Sequence, residues 1–285
     1  MKRISQVILQ ILLILVLYYA LQVLFLTLSQ RVTIYIASLA GSIPADAREF
    51  IGDAQYLKAH PAVHNCLVTA RAVAIILSSL SMLLFIHLRG LYKLRWGLLR
   101  SLGTKPLLIS TLLVFSSMFA LNIFVQWFPL DDNLDGIFEG LSRNPLGILG
   151  LAVLAPLLEE VLFRGAIQGS LMRFFGRPWP AIIVAALIFG IFHWNPVQVV
   201  YATLLGVIFG WIYYRTGSLL SVIVGHILNN TFAVISTVAY SNADEAALAG
   251  GSPGIAAFLF FALVSAYLAW QLDRTMKDGG YRQVQ

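Results

Sequence analysis

The stretch LGILGLAVLAPLLEEVLFRGAIQGSL, residues 146–171, decides the fold, because it is apolar enough to lie in lipid and yet carries two adjacent acids. It exceeds the roughly 20 residues that a helix needs to cross a bilayer. An acidic side chain near the bilayer centre costs roughly 2.5 to 3.5 kcal/mol on insertion scales. Glu159 and Glu160 therefore require partners, or a function, that offset this cost.

The composition of the 285-residue chain indicates an integral membrane protein. Hydrophobic residues make up 59% of it and charged residues 11%, with a mean hydropathy of +0.82, whereas about a quarter of the residues in soluble domains are charged. The apolar runs predict an all-α, polytopic membrane helix bundle of about eight transmembrane helices. These runs cover residues 7–28, 67–88, 106–127, 145–172, 180–194, 197–214, 218–238 and 255–272.

The predicted spans form a single membrane domain, residues 1–285, with an uneven distribution of polar residues. Residues 1–144 supply three apolar scaffold spans and their loops, and residues 241–285 supply the eighth span and a tail. All intramembrane acids and histidines fall within residues 145–240, so the active site is expected among the fourth to seventh spans. The fifth and sixth spans are short and separated only by Asn195-Pro196, so a re-entrant hairpin fits them equally well.

Basic residues predict the orientation of the spans, because Lys and Arg mark the cytoplasmic side of membrane proteins. Both termini are therefore expected in the cytoplasm, in a multi-pass protein of the plasma membrane. The net charge of +6 then reflects this topology, and we expect no nucleic-acid partner. The basic residues expected on the cytoplasmic side are Lys2, Arg3, Arg89, Lys93, Arg95, Arg100, Lys105, Arg173, Arg177, Arg215, Arg274, Lys277 and Arg282. The opposite loops hold most of the acids, namely Asp131, Asp132, Asp135, Glu139, Asp244 and Glu245.

The two acids are expected to play different parts. Glu160 and Arg164 are four residues apart, the spacing of an intrahelical ion pair, and this pairing would lower the cost of a charged Glu160. Glu159 points about 100° away around the helix, which leaves it free to meet a substrate or a water molecule. Pro156 removes the hydrogen bond to the carbonyl of Ala152 and is expected to bend the helix beside the acids.

Two later spans offer possible partners, each as a pair that shares one helix face. These pairs are Phe189-x-x-x-His193 and His226-x-x-x-Asn230. Taken singly, each pair also has a structural interpretation, because polar side chains often hydrogen-bond between membrane helices.

Two chemistries fit these residues around a wet cavity. A zinc ion could be held by Glu159, His193 and His226 with water at an open position. Alternatively, Glu159 acts as general base on a water molecule, and His and Asn side chains stabilise the oxyanion. The usual zincin spacing is absent, and Cys66 is the only cysteine, so no cysteine-based metal cluster can form.

The three motifs, in this order and on successive spans, resemble those of the CPBP family. That family groups the CAAX prenyl endopeptidases with bacteriocin-processing and immunity (Abi) proteins. The resemblance covers residues from about 145 to 240. It implies an eight-helix intramembrane endopeptidase without a metal cofactor, acting on a membrane-associated protein or peptide. The motifs favour neither prenylated tails nor leader peptides as substrate, and they carry no signature of oligomeric state.

The resemblance also implies a role for each motif residue. Glu159 would activate the water with the help of His193, while His226 and Asn230 would hold the oxyanion. Glu160 and Arg164 would support this arrangement.

Two other functions stay open at the level of sequence: a non-enzymatic immunity or scaffold protein, and a proton-coupled transporter, although no internal repeat supports the latter. One geometric difficulty is also apparent. Counting along straight helices from the cytoplasmic ends, His226 lies about 12 Å deep but His193 about 20 Å deep. Tilt or a re-entrant path must bring them together.

Overall fold

The structure is a computed structural model that describes residues 2–92, 102–130, 135–240 and 251–278. Within these ranges every regular element is helical, and there is one short 3₁₀ turn, Ala47–Glu49. The helices are α1 Lys2–Leu39, α2 Ala54–Ala59, α3 Pro61–Leu88, α4 Thr104–Gln126, α5 Asp135–Ser142, α6 Pro145–Phe175, α7 Pro178–Ile191, α8 Pro196–Thr216, α9 Leu219–Tyr240 and α10 Gly251–Asp278.

Seven helices in the described residues are long and apolar enough to cross a membrane, namely α1, α3, α4, α6, α8, α9 and α10. This confirms the predicted all-α, multi-pass membrane bundle. Helix α7 corresponds to the fifth predicted span and has 14 residues, or about 21 Å of helix, less than the roughly 30 Å of a hydrocarbon core. Helix α8 has 21 residues, so only the first of the two uncertain spans is short.

Several charges that predicted the orientation lie outside the described residues. They are Lys93, Arg95, Arg100, Asp131, Asp132, Asp244, Glu245 and Arg282. The placement of both termini in the cytoplasm therefore stays a prediction.

The scaffold helices pack in pairs through apolar faces and hydroxyl groups. Helix α1 lies along α3, and α4 lies along α10. In the second pair Phe119 stacks on Phe261 at 4.9 Å between ring centroids, and Ser116 donates a hydrogen bond to the Phe261 carbonyl at 2.9 Å. Small hydroxyl side chains of this kind satisfy each other between helices and let the backbones approach closely.

Helix α6 occupies the centre of the second half of the bundle. Every residue from Glu160 to Gln168 is buried, and α7, α8 and α9 surround this segment. By contrast, many large apolar side chains of α1 and α10, such as Leu13 and Leu263, are exposed on the outside of the bundle. These outward faces suit contact with lipid, where apolar exposure carries no cost.

Helix α6 is not a regular α-helix. Leu149–Leu154 and Glu160–Gln168 are π-helical, while Ala155–Glu159 between them is α-helical. Pro156 lies at the junction, where its missing N–H interrupts the hydrogen-bond ladder. Pro156 thus coincides with a change in helix type, a feature that is frequent at functional sites, while the bend itself stays a prediction.

Short turns set the directions of α7 and α8. Gly176 ends α6 with a φ of 62°, a left-handed conformation that glycine adopts without steric cost. Between α7 and α8, Trp194 has a φ of 59°, which is unusual for a bulky residue. Asn195 then caps α8 by accepting a hydrogen bond from the Gln198 N–H at 3.2 Å.

Candidate active site

Glu160 lies at the centre of a buried polar cluster. Its side chain is fully buried, and Arg164 Nη1 lies 3.1 Å from its Oε1. The ion pair predicted from the four-residue spacing is therefore present. His226 on α9 brings its Nδ1 to 2.7 Å from the same Oε1, so one carboxylate oxygen binds an arginine and a histidine from two helices.

Arg164 is held by more than its ion pair. Its Nη2 donates to the Gly206 carbonyl on α8 at 3.4 Å. Its guanidinium carbon lies 4.4 Å from the centroid of the Phe189 ring and 5.2 Å from that of Phe209. Aromatic rings attract a cation through their quadrupole, so these contacts help to offset the removal of the guanidinium group from water.

Glu159 differs from its neighbour in exposure. Its side chain is 16% exposed, whereas that of Glu160 is completely buried. Its Oε2 lies 3.6 Å from Nε2 of His226, too far for a direct hydrogen bond. Glu159 is thus the acid of the pair that remains partly exposed, and its access to a substrate or a water molecule stays a prediction.

His226 lies between the two carboxylates, and its contacts indicate its tautomer. A carboxylate can only accept, so the short contact with Glu160 requires a proton on Nδ1 of His226. In the neutral imidazole Nε2 is then unprotonated and faces the space beside Glu159. The ring is also confined by Phe209, with centroids 5.0 Å apart, and by Phe189 at 5.9 Å and a right angle.

His193 lies in the turn that follows α7, because that helix ends at Ile191. Its Nδ1 is 2.8 Å from the Phe189 carbonyl, which can only accept, so Nδ1 carries the proton. The His193 ring stands at 87° to the Phe189 ring with centroids 4.9 Å apart. Both histidines therefore lie against the same phenyl ring, so the turn after the short α7 brings His193 to the same part of the bundle as His226.

Asn230 reaches α6 at a different point. It is half-buried, and its Nδ2 donates to the Leu151 carbonyl at 2.9 Å. This contact joins α9 to the first π-helical segment of α6. All six residues singled out in the sequence therefore lie on α6, on α9 or in the turn after α7, around the same part of the bundle.

The sequence reasoning missed Gln168, which is fully buried on α6. Its Nε2 donates to the Gly210 carbonyl at 2.9 Å, one turn along α8 from the Gly206 carbonyl that binds Arg164. A side chain on Gly210 would come within 2.8 Å of the Gln168 Oε1 atom. The Gly206-x-x-x-Gly210 pair therefore lets two polar side chains of α6 reach the backbone of α8.

The scaffold half contributes one wall of the site through Tyr18 of α1. This side chain is buried and stacks on Phe192 with ring centroids 5.2 Å apart. Phe192 immediately precedes His193, so α1 supports the turn that carries this histidine. The sequence held no signal for this contact.

A zinc ion would need at least three donor side chains that converge on one point. In the part of the chain that the structure describes, no three His, Cys, Asp or Glu side chains converge in a way that could hold a metal ion. Glu159, His193 and His226 do not form such a group there, so the chemistry below is derived from the side chains.

Comparison with known proteins gives two matches, each over part of the chain. The sequence model described as "Type II CAAX prenyl endopeptidase Rce1-like" matches residues 141–232. A protein of Bacillus subtilis (strain 168), named "Putative membrane peptidase YdiL", is 32% identical over 108 residues, which cover 36% of this chain and 42% of that protein. The chain thus matches less than half the length of this curated relative. No solved structure is significantly similar.

Proposed function

The chain belongs to the CPBP family of CAAX proteases and bacteriocin-processing proteins, and on that premise we propose that it is an intramembrane endopeptidase. It would hydrolyse a peptide bond of a membrane-associated protein or peptide. The observation that carries the proposal is the partly exposed Glu159 carboxylate beside Nε2 of His226, a histidine that is itself anchored by the buried Glu160 and Arg164.

In the proposed mechanism Glu159 is the general base. Its carboxylate takes a proton from a water molecule while the water oxygen attacks the peptide carbonyl carbon. Negative charge develops on the carbonyl oxygen and is stabilised by donors from His226 and Asn230. Glu159 then returns the proton to the amide nitrogen as the C–N bond breaks, which leaves a carboxylic acid and an amine.

The neighbouring residues position these groups. The Glu160 carboxylate accepts the Nδ1–H of His226 and so fixes the orientation of the imidazole ring, with Nε2 on its other side. His226 can therefore donate from Nε2 to the oxyanion when it is protonated. His193 binds the Phe189 carbonyl through Nδ1. Its other ring nitrogen, Nε2, would orient the attacking water.

The test is the change Glu159→Gln, which keeps the shape of the side chain and removes the base. Proteolysis is expected to fall by at least about 100-fold, the usual contribution of a general base. Glu139→Gln is the matched control, because Glu139 is an exposed acid on α5. Comparing membrane proteins by mass spectrometry in cells carrying each variant also identifies the substrate. Equal cleavage by the wild type and Glu159→Gln would remove Glu159 from the mechanism.

The same comparison separates the protease from its rivals. A non-enzymatic immunity or scaffold protein would give no cleaved product with any variant. A proton-coupled transporter would move a solute across sealed vesicles without cleavage.

We also propose that the reaction is independent of zinc. Chelation is then expected to leave the turnover of the purified protein unchanged, with a zinc protease as a positive control. Loss of activity that zinc restores would establish the metal-dependent alternative.

Finally, we propose that the protein resides in the plasma membrane with both termini in the cytoplasm. Because Cys66 is the only cysteine, a Cys66→Ala background permits single-site labelling. In intact cells Arg3→Cys and Gln285→Cys should both resist a membrane-impermeant maleimide and react after lysis. Labelling of either terminus in intact cells would contradict this topology.

A further inference from the structure

Asn230 is the last member of a chain of hydrogen bonds that crosses three helices. Tyr201 on α8 donates its hydroxyl proton to Asn229 Oδ1 at 2.6 Å. Asn229 Nδ2 donates to Asn230 Oδ1 at 3.0 Å, and Asn230 Nδ2 donates to the Leu151 carbonyl on α6 at 2.9 Å. Tyr201 and Asn229 belong to none of the three sequence motifs.

The backbone carbonyl at one end fixes the direction of the whole chain. A carbonyl oxygen can only accept, so Asn230 must turn its NH₂ group towards Leu151. Its Oδ1 then faces Asn229 and requires a donor there, which turns the Asn229 Oδ1 towards Tyr201. The tyrosine hydroxyl completes the chain as a donor, and both amide orientations follow from one fixed acceptor.

The Leu151 carbonyl is available because of Pro156. In the π-helical segment Leu149–Leu154 the Ala155 N–H bonds to the Gly150 carbonyl, five residues back. The next donor in that register, at position 156, is a proline and has no N–H. Asn230 therefore supplies to Leu151 a hydrogen bond that the helix itself cannot provide, at a depth where an unsatisfied carbonyl is costly.

We propose that Tyr201 and Asn229 are positioning residues that hold the Asn230 amide with its NH₂ group towards α6. This inference rests on the proposed function, because it assigns a task to the second N–H hydrogen of Asn230. One hydrogen of Nδ2 binds Leu151, and the other remains for the oxygen of the tetrahedral intermediate. If the amide turned over, its oxygen would meet the developing negative charge and oppose the reaction.

Removal of the Tyr201 hydroxyl is expected to weaken this orientation without removing any group that meets the substrate. Tyr201→Phe should lower kcat by about 10-fold to 100-fold, the scale of a misplaced catalytic group, and leave KM within about twofold. Tyr35→Phe is the matched control, because Tyr35 is exposed on α1 and should retain wild-type kcat.

A double-mutant cycle distinguishes this chain from two independent structural contacts. Asn229→Leu removes the middle member, so the double change of Tyr201 and Asn229 should cost no more in kcat than Asn229→Leu alone. Rates are expressed per folded molecule, with thermal unfolding measured for every variant. If the losses in kcat of the two single variants multiply in the double variant, the inference is wrong. It is also wrong if Tyr201→Phe retains wild-type kcat.

Wild type and Glu159→Gln are assayed in parallel, so that two failures can be told apart. If the wild type cleaves no more substrate than Glu159→Gln, the proposed function fails and the positioning role fails with it. If the wild type cleaves and Tyr201→Phe cleaves equally, only the positioning role is wrong.

Discussion

The scaffold pair α4 and α10 and the site helices α6 to α9 satisfy their polar groups in different ways. In the scaffold pair the contacts are between serine hydroxyls and a backbone carbonyl, as Ser116 and Ser265 illustrate. In the site region the buried partners are a carboxylate, a guanidinium group and an imidazole. Hydroxyls suffice to join helices in lipid, so the costly charges near Glu160 indicate a requirement of the site.

This difference predicts that a change at the charged cluster costs far more than a similar change in the scaffold. The largest effect is expected for Arg164→Met, which leaves the Glu160 carboxylate buried without its cation. Loss of one partner of a buried ion pair costs about 3 to 5 kcal/mol. Thermal unfolding in detergent measures the loss.

A second variant makes this test sharper. The double change Glu160→Gln with Arg164→Met removes both charges, and it should be clearly more stable than Arg164→Met alone. Equal stability of the single and double variants would mean that the unpaired carboxylate is not the source of the loss.

An intermediate loss of stability is expected for a substitution at the close approach of α6 and α8. A Cβ atom at Gly210 would lie 2.8 Å from Gln168 Oε1 and 3.0 Å from a methyl carbon of Ile182. Gly210→Ala should therefore displace Gln168 and cost about 1 to 3 kcal/mol of stability. Gly136→Ala on α5 is the control, because a Cβ there meets open space; equal stability of the two variants would contradict the close packing.

The smallest effect is expected in the scaffold. Ser265→Ala removes a hydroxyl that lies 3.1 Å from Ser116 Oγ and 3.2 Å from Ser117 Oγ. Hydrogen bonds between membrane helices contribute about 0.6 kcal/mol on average, so unfolding should shift slightly and proteolysis should not change. A large loss of activity would show that α10 is coupled to the site and would blur the distinction between the two regions.

Local patterns in the sequence predicted much of this architecture. The predicted span 106–127 corresponds to α4 at Thr104–Gln126, because its apolar run has clear ends. The pair Glu160 and Arg164 followed from helical spacing alone. Gln168 continues the same four-residue series, so that spacing could have identified it as well.

Contacts between distant residues were not predictable in the same way. The hydrogen bond from Asn230 to Leu151 joins positions 79 residues apart, and the π-helical segments of α6 arise together with such contacts. Tyr201 is one aromatic residue among many, and no pattern distinguished it. The position of His193 depended on where α7 ends, which is a matter of helix packing as much as of sequence.

The π-helical segment Glu160–Gln168 makes this part of the chain able to absorb a change in its length. Such segments hold more residues per turn than an α-helix. Deleting a single residue such as Leu162 would let the remaining residues wind as a tighter α-helical coil, which offsets much of the rotation that the missing residue causes. In a regular α-helix such as α8 the same deletion rotates everything downstream by about 100°, so we expect a deletion scan to find the fold more tolerant of one-residue shortening within residues 160–168 than within α8.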